Sequence, residues 1–162
     1  MRPPGRSLVS GPSVEPITLA EAKVHLREDS GTTAQDSYIE DVLIPAARRF
    51  VAERAWRPLI TQTWDFTWRG FPAGREIHVP MPPLQSITSV SYYDTDNASQ
   101  TFSSSKYIVA TDECVGVIRL LENESWPNTY YGRPGAVTVR AVVGFGATGA
   151  LVPETFRQAM YL

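Results

Sequence analysis

The sequence predicts an α+β fold in which an antiparallel β domain is inserted into a small helical bundle. Three observations predict it. Apolar residues recur at helical spacing between residues 18 and 56. From about residue 59 to 146 the period changes to two, and short strand patterns follow one another with no helix between them. A third helical pattern covers 153–162, so two N-terminal helices and one C-terminal helix make the bundle.

Residues 1–16 predict a flexible arm, because they contain four prolines and little apolar surface. The remainder, 17–162, is expected to form one domain. The first fourteen residues include no apolar run of the length that a signal peptide or membrane span requires. We therefore expect a soluble protein that is made in the cytoplasm and does not contact a membrane.

The first helix, about 18–28, begins where Thr18 and Glu21 are spaced as a capping box. The second helix, about 36–56, can be capped by Asp36 or Ser37. Its acids come early and its arginines late, as the helix dipole favours. Pro45 predicts a kink near residues 41–44 because proline lacks the amide hydrogen. One apolar stripe at 3.6-residue spacing follows this helix, opposite Arg48: Ile39, Val42, Leu43, Ala46 and Phe50.

The first strand is predicted in Leu59–Arg69, where Trp64, Phe66 and Trp68 alternate with polar residues. Turn-forming segments separate the later patterns. One of these segments, residues 94–97, has the sequence DTDN; it lacks the later ligands of a calcium loop and is better read as a hairpin tip. Further strands are predicted at Glu76–Val79, Ile87–Tyr93, Lys106–Ala110, Val115–Leu121 and Ala136–Val143.

Residues 144–149, GFGATG, match the GxGxxG pattern of dinucleotide-binding turns. That site would need a second parallel strand and an acidic residue about twenty positions later. Only thirteen residues follow Gly149. The segment is therefore predicted to be a glycine-rich bend where a strand leaves its sheet.

No residue pattern predicts catalysis. His25 and His78 belong to no catalytic motif. The single cysteine, Cys114, cannot form an internal disulfide or complete either common zinc pattern, and its acidic neighbour Glu113 favours an inert thiol. We expect no enzymatic activity, no cofactor and no metal site.

An aromatic loop near residue 130 offers two interpretations. Trp126, Tyr130 and Tyr131, with Arg133 nearby, can anchor a protein interface or stack on bases. They can equally fold back as a lid over the sheet. The formal net charge is −2, from 15 basic and 17 acidic residues, which favours protein contact over nucleic acid.

Several short pieces, spread over most of the chain from about Glu15, together match the pattern of a known family. They are residues 17–23 (ITLAEAK) with Leu26, 44–48 (IPAAR), 59–64 (LITQTW), Pro83-Leu84, Ser89-Val90, Tyr107, 144–146 (GFG), Val152-Pro153 and 157–159 (RQA). No single piece is specific, but their order and spacing are. On these pieces the chain resembles the head-to-tail connector (adaptor) proteins of long-tailed phages and phage-derived gene transfer agents.

The resemblance implies a virion protein at the head–tail interface, made in the host cytoplasm. It implies a homo-oligomer, a twelvefold ring between the portal protein and a tail-side connector, stopper or terminator protein. DNA would pass through the central channel without sequence-specific binding. Arg157, in the last matching piece, joins the aromatic loop as a candidate interface residue.

Two other classes of function stay open from the residues alone. The first is a monomeric β-rich binding module that recognises a peptide, a glycan or nucleic acid. The second is a small enzyme, which would require several perturbed titratable groups in one cleft.

Overall fold

The computed structural model describes residues 4–29, 31–111 and 115–161, and its fold is α+β as the sequence predicts. One domain was expected over 17–162, but the chain divides into two compact units that are interleaved in sequence. The β unit contains the residues up to Gly11 and Gln62–Val143. The helical unit contains Pro12–Thr61 and the residues from Gly144 onward.

The helical unit begins with α1 (Leu19–Leu26) and contains α4 (Glu154–Ala159) at its end. Between them α2 (Asp36–Tyr38), a π-helical turn (Ile39–Leu43) and α3 (Ile44–Ala55) follow one another without a break. The capping box is confirmed at the start of α1. The Thr18 hydroxyl accepts a hydrogen bond from the Glu21 amide at 3.2 Å, and the Glu21 carboxylate accepts one from the Thr18 amide at 2.7 Å.

The irregularity that Pro45 predicts takes the form of the π-helical turn directly before it. Pro45 has no amide hydrogen to donate one turn back. The Ile44 amide donates instead to the carbonyl of Ile39, five residues earlier. A π turn holds one more residue than an α turn. Ile44 therefore lies on the same side of the helix as Ile39. In an unbroken α-helix Leu43 would lie there.

Because of this extra residue, the predicted stripe does not share the buried face of Ile39. Val42, Leu43 and Phe50 are 47%, 38% and 71% exposed. Arg48, predicted on the opposite face, is buried, and its Nε donates to Glu15 at 2.7 Å. The residues that this long helix buries are Ile39, Ile44, Arg48 and Val51.

The β unit consists of two antiparallel sheets, one of five strands and one of three. The five-stranded sheet has the order β1-β2-β8-β4-β5, and the three-stranded sheet has the order β3-β7-β6. The strands are β1 (Gly5–Ser10), β2 (Gln62–Trp68), β3 (Glu76–Val79), β4 (Leu84–Tyr93), β5 (Ser99–Phe102), β6 (Tyr107–Ala110), β7 (Gly116–Leu120) and β8 (Val137–Val143).

Residues from both sheets form one hydrophobic core. Phe66 of β2, Val90 of β4, Ile118 of β7 and Val139 of β8 are each fully buried in it. They lie at alternate positions of their strands, because every second side chain of a strand faces the same way. Period-two patterning therefore located the six predicted strands, with end points that differ by a few residues.

Two strands, β1 and β5, were not predicted. β1 lies within residues 1–16, where a flexible arm was expected. Gly5–Ser10 pairs antiparallel with β2, although all six of its residues are exposed. A strand that buries no side chain shows no alternation in sequence, so only its main-chain pairing defines it. The second, β5, pairs with β4 across the predicted hairpin tip, where Asp94 accepts hydrogen bonds from the amides of Asp96 and Ala98 at 3.0 and 2.9 Å.

The glycine-rich segment after β8 is a bend, as predicted. Gly144 has φ of 118°, and a Cβ there would lie 2.5 Å from the carbonyl oxygen of Ile60. The Thr61 amide donates to the Gly146 carbonyl at 2.9 Å. This close approach of two backbone segments is what requires glycine.

Candidate assembly surfaces

Trp126 contacts three other residues of the β unit. Its ring stacks on Phe71, with centroids 4.8 Å apart and planes 6° from parallel, and it lies 5.2 Å from the ring of Phe102. Its indole N–H donates to the Gly74 carbonyl at 2.9 Å. These contacts fit the lid interpretation, because a half-buried indole with a satisfied donor contributes to the packing of its own chain.

The end of this loop, after Trp126, lies at the surface. The Arg133 guanidinium lies 3.6 Å from the centroid of the Tyr93 ring, and its Nη1 donates to Asn97 at 2.6 Å. The Tyr130 amide donates to the Tyr93 carbonyl at 3.0 Å, while the Tyr130 side chain stays exposed. Tyr131 is 99% exposed. Trp126 and Arg133 thus fix a loop that presents Tyr131 to solvent, and an interface role for this loop stays a prediction.

Arg157 links α4 to α1. Its guanidinium pairs with Glu21 and, at 3.0 Å, with Glu154, and its Nε donates to the Pro16 carbonyl at 3.1 Å. The hydrogen bond with Glu21 raises the pKa of Arg157, and the Thr18 amide is the main reason that the pKa of Glu21 is lowered. These bonds give Arg157 a structural role, and an interface role for it stays a prediction.

The described residues contain no group of three His, Cys, Asp or Glu side chains that could hold a metal ion. The two histidines belong to different units: His25 packs against Tyr161 with ring centroids 4.8 Å apart, and His78 is mostly exposed at 3.6 Å from Glu76. Cys114 lies outside the described residues. No helix in the described ranges is long and apolar enough to cross a membrane.

Sequence reasoning grouped three apolar residues of the long helix in one stripe but did not predict that, together with Tyr38, they form an exposed stripe. Its members are four positions apart, about one turn each. Phe50 and Tyr38 are its largest side chains, 71% and 56% exposed. Pro45 signalled an irregular turn but not the rotation of the faces that follows it. The stripe consists of Tyr38, Val42, Ala46 and Phe50.

A second surface that sequence reasoning missed is a shallow depression of about 440 Å³ between α1 and α4. Tyr161 and His25 contact each other in its lining, and Val24 is 79% exposed there. Burial raises the pKa of the Tyr161 hydroxyl. The depression is lined by Ala20, Glu21, Val24, His25, Gln158 and Tyr161.

No protein-family model and no curated protein matches this sequence. Among solved structures, a chain in the neck of an empty gene transfer agent particle computed with C6 symmetry has a TM-score of 0.81. It is 21% identical, over 97% of this chain and 80% of that chain. A chain in the virion of a native gene transfer agent particle has a TM-score of 0.79 and is 20% identical, over 96% and 79%.

A third chain belongs to the neck of a native gene transfer agent particle computed with C12 symmetry. Its TM-score is 0.70, and it is 22% identical over 96% of this chain and 79% of that chain. Both units of the present chain are therefore included in each similarity. At these identities the similarity establishes a shared fold.

Proposed function

We propose that this chain is a structural subunit of the neck of a phage-like particle, where it acts as a head–tail connector. One observation carries the proposal: the fold matches, over 97% of this chain, that of a chain in a gene transfer agent neck. The similarity includes the helical unit and the inserted β unit, rather than a common substructure such as one sheet. A non-enzymatic role at the head–tail interface of a virion follows.

The proposed assembly is a ring, with twelve copies as the expected number. The necks of gene transfer agent particles that contain chains of this fold have been computed with C6 and with C12 symmetry. A cyclic ring requires a heterologous contact, in which two different patches of each subunit meet. The portal protein on the head side and a tail-side connector, stopper or terminator protein are the proposed neighbours.

Electrostatics support a channel through which DNA slides. Every phosphate that a protein neutralises adds salt-dependent affinity for DNA. The formal net charge of −2 provides no overall attraction. A channel wall made of nearly neutral subunits lets DNA pass, whereas a strongly basic wall would retain the DNA.

Particles purified from producing cells can test this proposal by electron cryomicroscopy. The expected result is density for this chain in a ring at the portal vertex, and heads without tails from cells in which its gene is deleted. Unchanged tailed particles from the deletion strain, together with a free monomer in the wild type, would contradict the proposal. That result would favour a monomeric binding module, whose natural contact is the loop that presents Tyr131.

A further inference from the structure

We infer that subunits of the ring join through a knob and a socket that both belong to the helical unit. The knob is Phe50 with its flanking residues Arg49 and Arg54. The socket is the depression between α1 and α4 defined above. The inferred occupant of the socket is the knob of a second copy of this chain, and the inference rests on the proposed ring.

The knob is a large apolar side chain that its own chain leaves in water. Phe50 is 71% exposed because the π turn rotates it away from the buried face of the helix. It continues the exposed stripe of Tyr38, Val42 and Ala46. Together these residues expose roughly 400 Å² of mostly apolar surface, the size of the largest such patch on a typical monomer, which is often functional. The stripe can therefore form the centre of a contact whose polar rim supplies the remaining area.

The socket can admit the knob and matches it in polarity. It is an open, shallow depression of about 440 Å³, which leaves room for an aromatic ring from another subunit. Ala20, Val24 and Tyr161 provide apolar lining, and Val24 is 79% exposed. An aromatic ring that enters the socket would cover the Val24 side chain, which the described residues of one subunit leave exposed.

The charges around the two surfaces are complementary. Arg49 and Arg54 flank the knob, are exposed, and make no ion pair within the described ranges. Glu53, which lies between them, leaves the knob with a surplus of one positive charge. Glu21 lines the socket and Glu154 accepts a hydrogen bond from Gln158 of its lining; these carboxylates are 41% and 61% exposed, and both pair with one arginine, Arg157. The socket thus has a surplus of one negative charge.

The knob and the socket share no residue, so in a ring each subunit gives its knob to one neighbour and its socket to the other. Repetition of such a contact gives a ring when the rotation between successive subunits brings the last subunit back to the first. A reciprocal exchange of knob and socket between two subunits would instead close a two-fold dimer, so association of the wild type beyond a dimer is what the ring requires. A contact of the stripe with its own copy would likewise be two-fold and would end at a dimer.

Single substitutions should disable the knob or the socket without damage to the fold, since Phe50 and Val24 are both exposed. Phe50→Glu and Val24→Glu are each expected to weaken self-association by at least about 30-fold, the loss expected for a central contact residue. Ile108→Glu is the matched control, because Ile108 is 54% exposed but lies on β6 in the β unit. Analytical ultracentrifugation measures the association, and circular dichroism verifies the fold.

Mixing the variants tests whether the knob of one subunit pairs with the socket of another. Phe50→Glu retains a socket and Val24→Glu retains a knob, so an equimolar mixture should form one contact and stop at a dimer. The double variant should not associate with Phe50→Glu, because neither provides a knob. In a Cys114→Ser background, Phe50→Cys mixed with Val24→Cys should form an intermolecular disulfide, and Ala46→Cys alone should not.

Three results would overturn the knob–socket contact. These are a monomeric mixture, self-crosslinking of Ala46→Cys, and a wild-type chain that stays monomeric at ~1 mM, where a contact with a Kd of 1 mM is substantially formed. A neck ring that forms normally from Phe50→Glu subunits would overturn the contact but leave the connector role intact. Absence of the wild-type chain from particles would reject the role itself.

Discussion

Trp126→Ala distinguishes the two roles that the aromatic loop could have. The substitution removes the stack on Phe71, the contact with Phe102 and the hydrogen bond to the Gly74 carbonyl. A half-buried indole loses on the order of 100 Å² of apolar burial, or about 2.5 kcal/mol. The stacked geometry and the hydrogen bond each add about 1 kcal/mol, and relaxation of the exposed loop reduces the total. We expect a loss of about 3 kcal/mol in the free energy of unfolding.

Urea denaturation followed by circular dichroism measures this loss, since tryptophan fluorescence changes with the substitution itself. With a slope of about 2 kcal/mol per molar urea, the midpoint should fall by about 1.5 M. Trp126→Phe serves as the matched control: it retains a ring on Phe71 but not the hydrogen bond, and should cost about 1 kcal/mol. An unchanged midpoint in Trp126→Ala, with self-association or particle assembly lost, would refute the lid interpretation and identify Trp126 as an interface anchor.

Two further predictions concern the helical unit and the bend after β8. Gly144→Ala should destabilise the protein by about 3 kcal/mol in urea denaturation, because φ is 118° and the new Cβ would lie 2.5 Å from the Ile60 carbonyl oxygen. Gly74→Ala is the control and should be nearly neutral, because a Cβ there would have nothing within 4 Å. The lowered pKa of Glu21, due first to the Thr18 amide, stabilises the fold above the unfolded pKa, and this contribution disappears as the pH falls through the folded pKa. Unfolding measured between pH 7 and pH 3 should therefore depend less steeply on pH in Glu21→Gln, and equal pH dependence in both proteins would contradict this assignment.

Local patterns in the sequence were sufficient for much of the fold. The capping box at Thr18 and Glu21 fixed the start of α1, since it uses residues three positions apart. Alternation located β2, because Phe66 and Trp68 are buried while their neighbours are not. The turn chemistry of Asp94 placed a hairpin tip where β4 and β5 meet. Each of these signals lies within a few residues, where hydrogen-bonding geometry and side-chain alternation act directly.

Features that depend on distant residues were not predictable in this way. Gly5–Ser10 buries no side chain, so only its hydrogen bonds to β2 reveal a strand where a flexible arm was expected. Trp126 had two open interpretations until its contact with Phe71, far away in sequence, favoured one.

The long helix shows most directly which features the sequence determines and which it does not. The sequence determined that a helix forms here and that Pro45 disturbs it, because a missing amide hydrogen is a local property. The tertiary structure decided the response, a π turn that buries Ile44 and exposes Phe50. One added residue rotates every later side chain, and the face that becomes buried depends on which partners, such as Glu15 for Arg48, the rest of the unit places beside the helix.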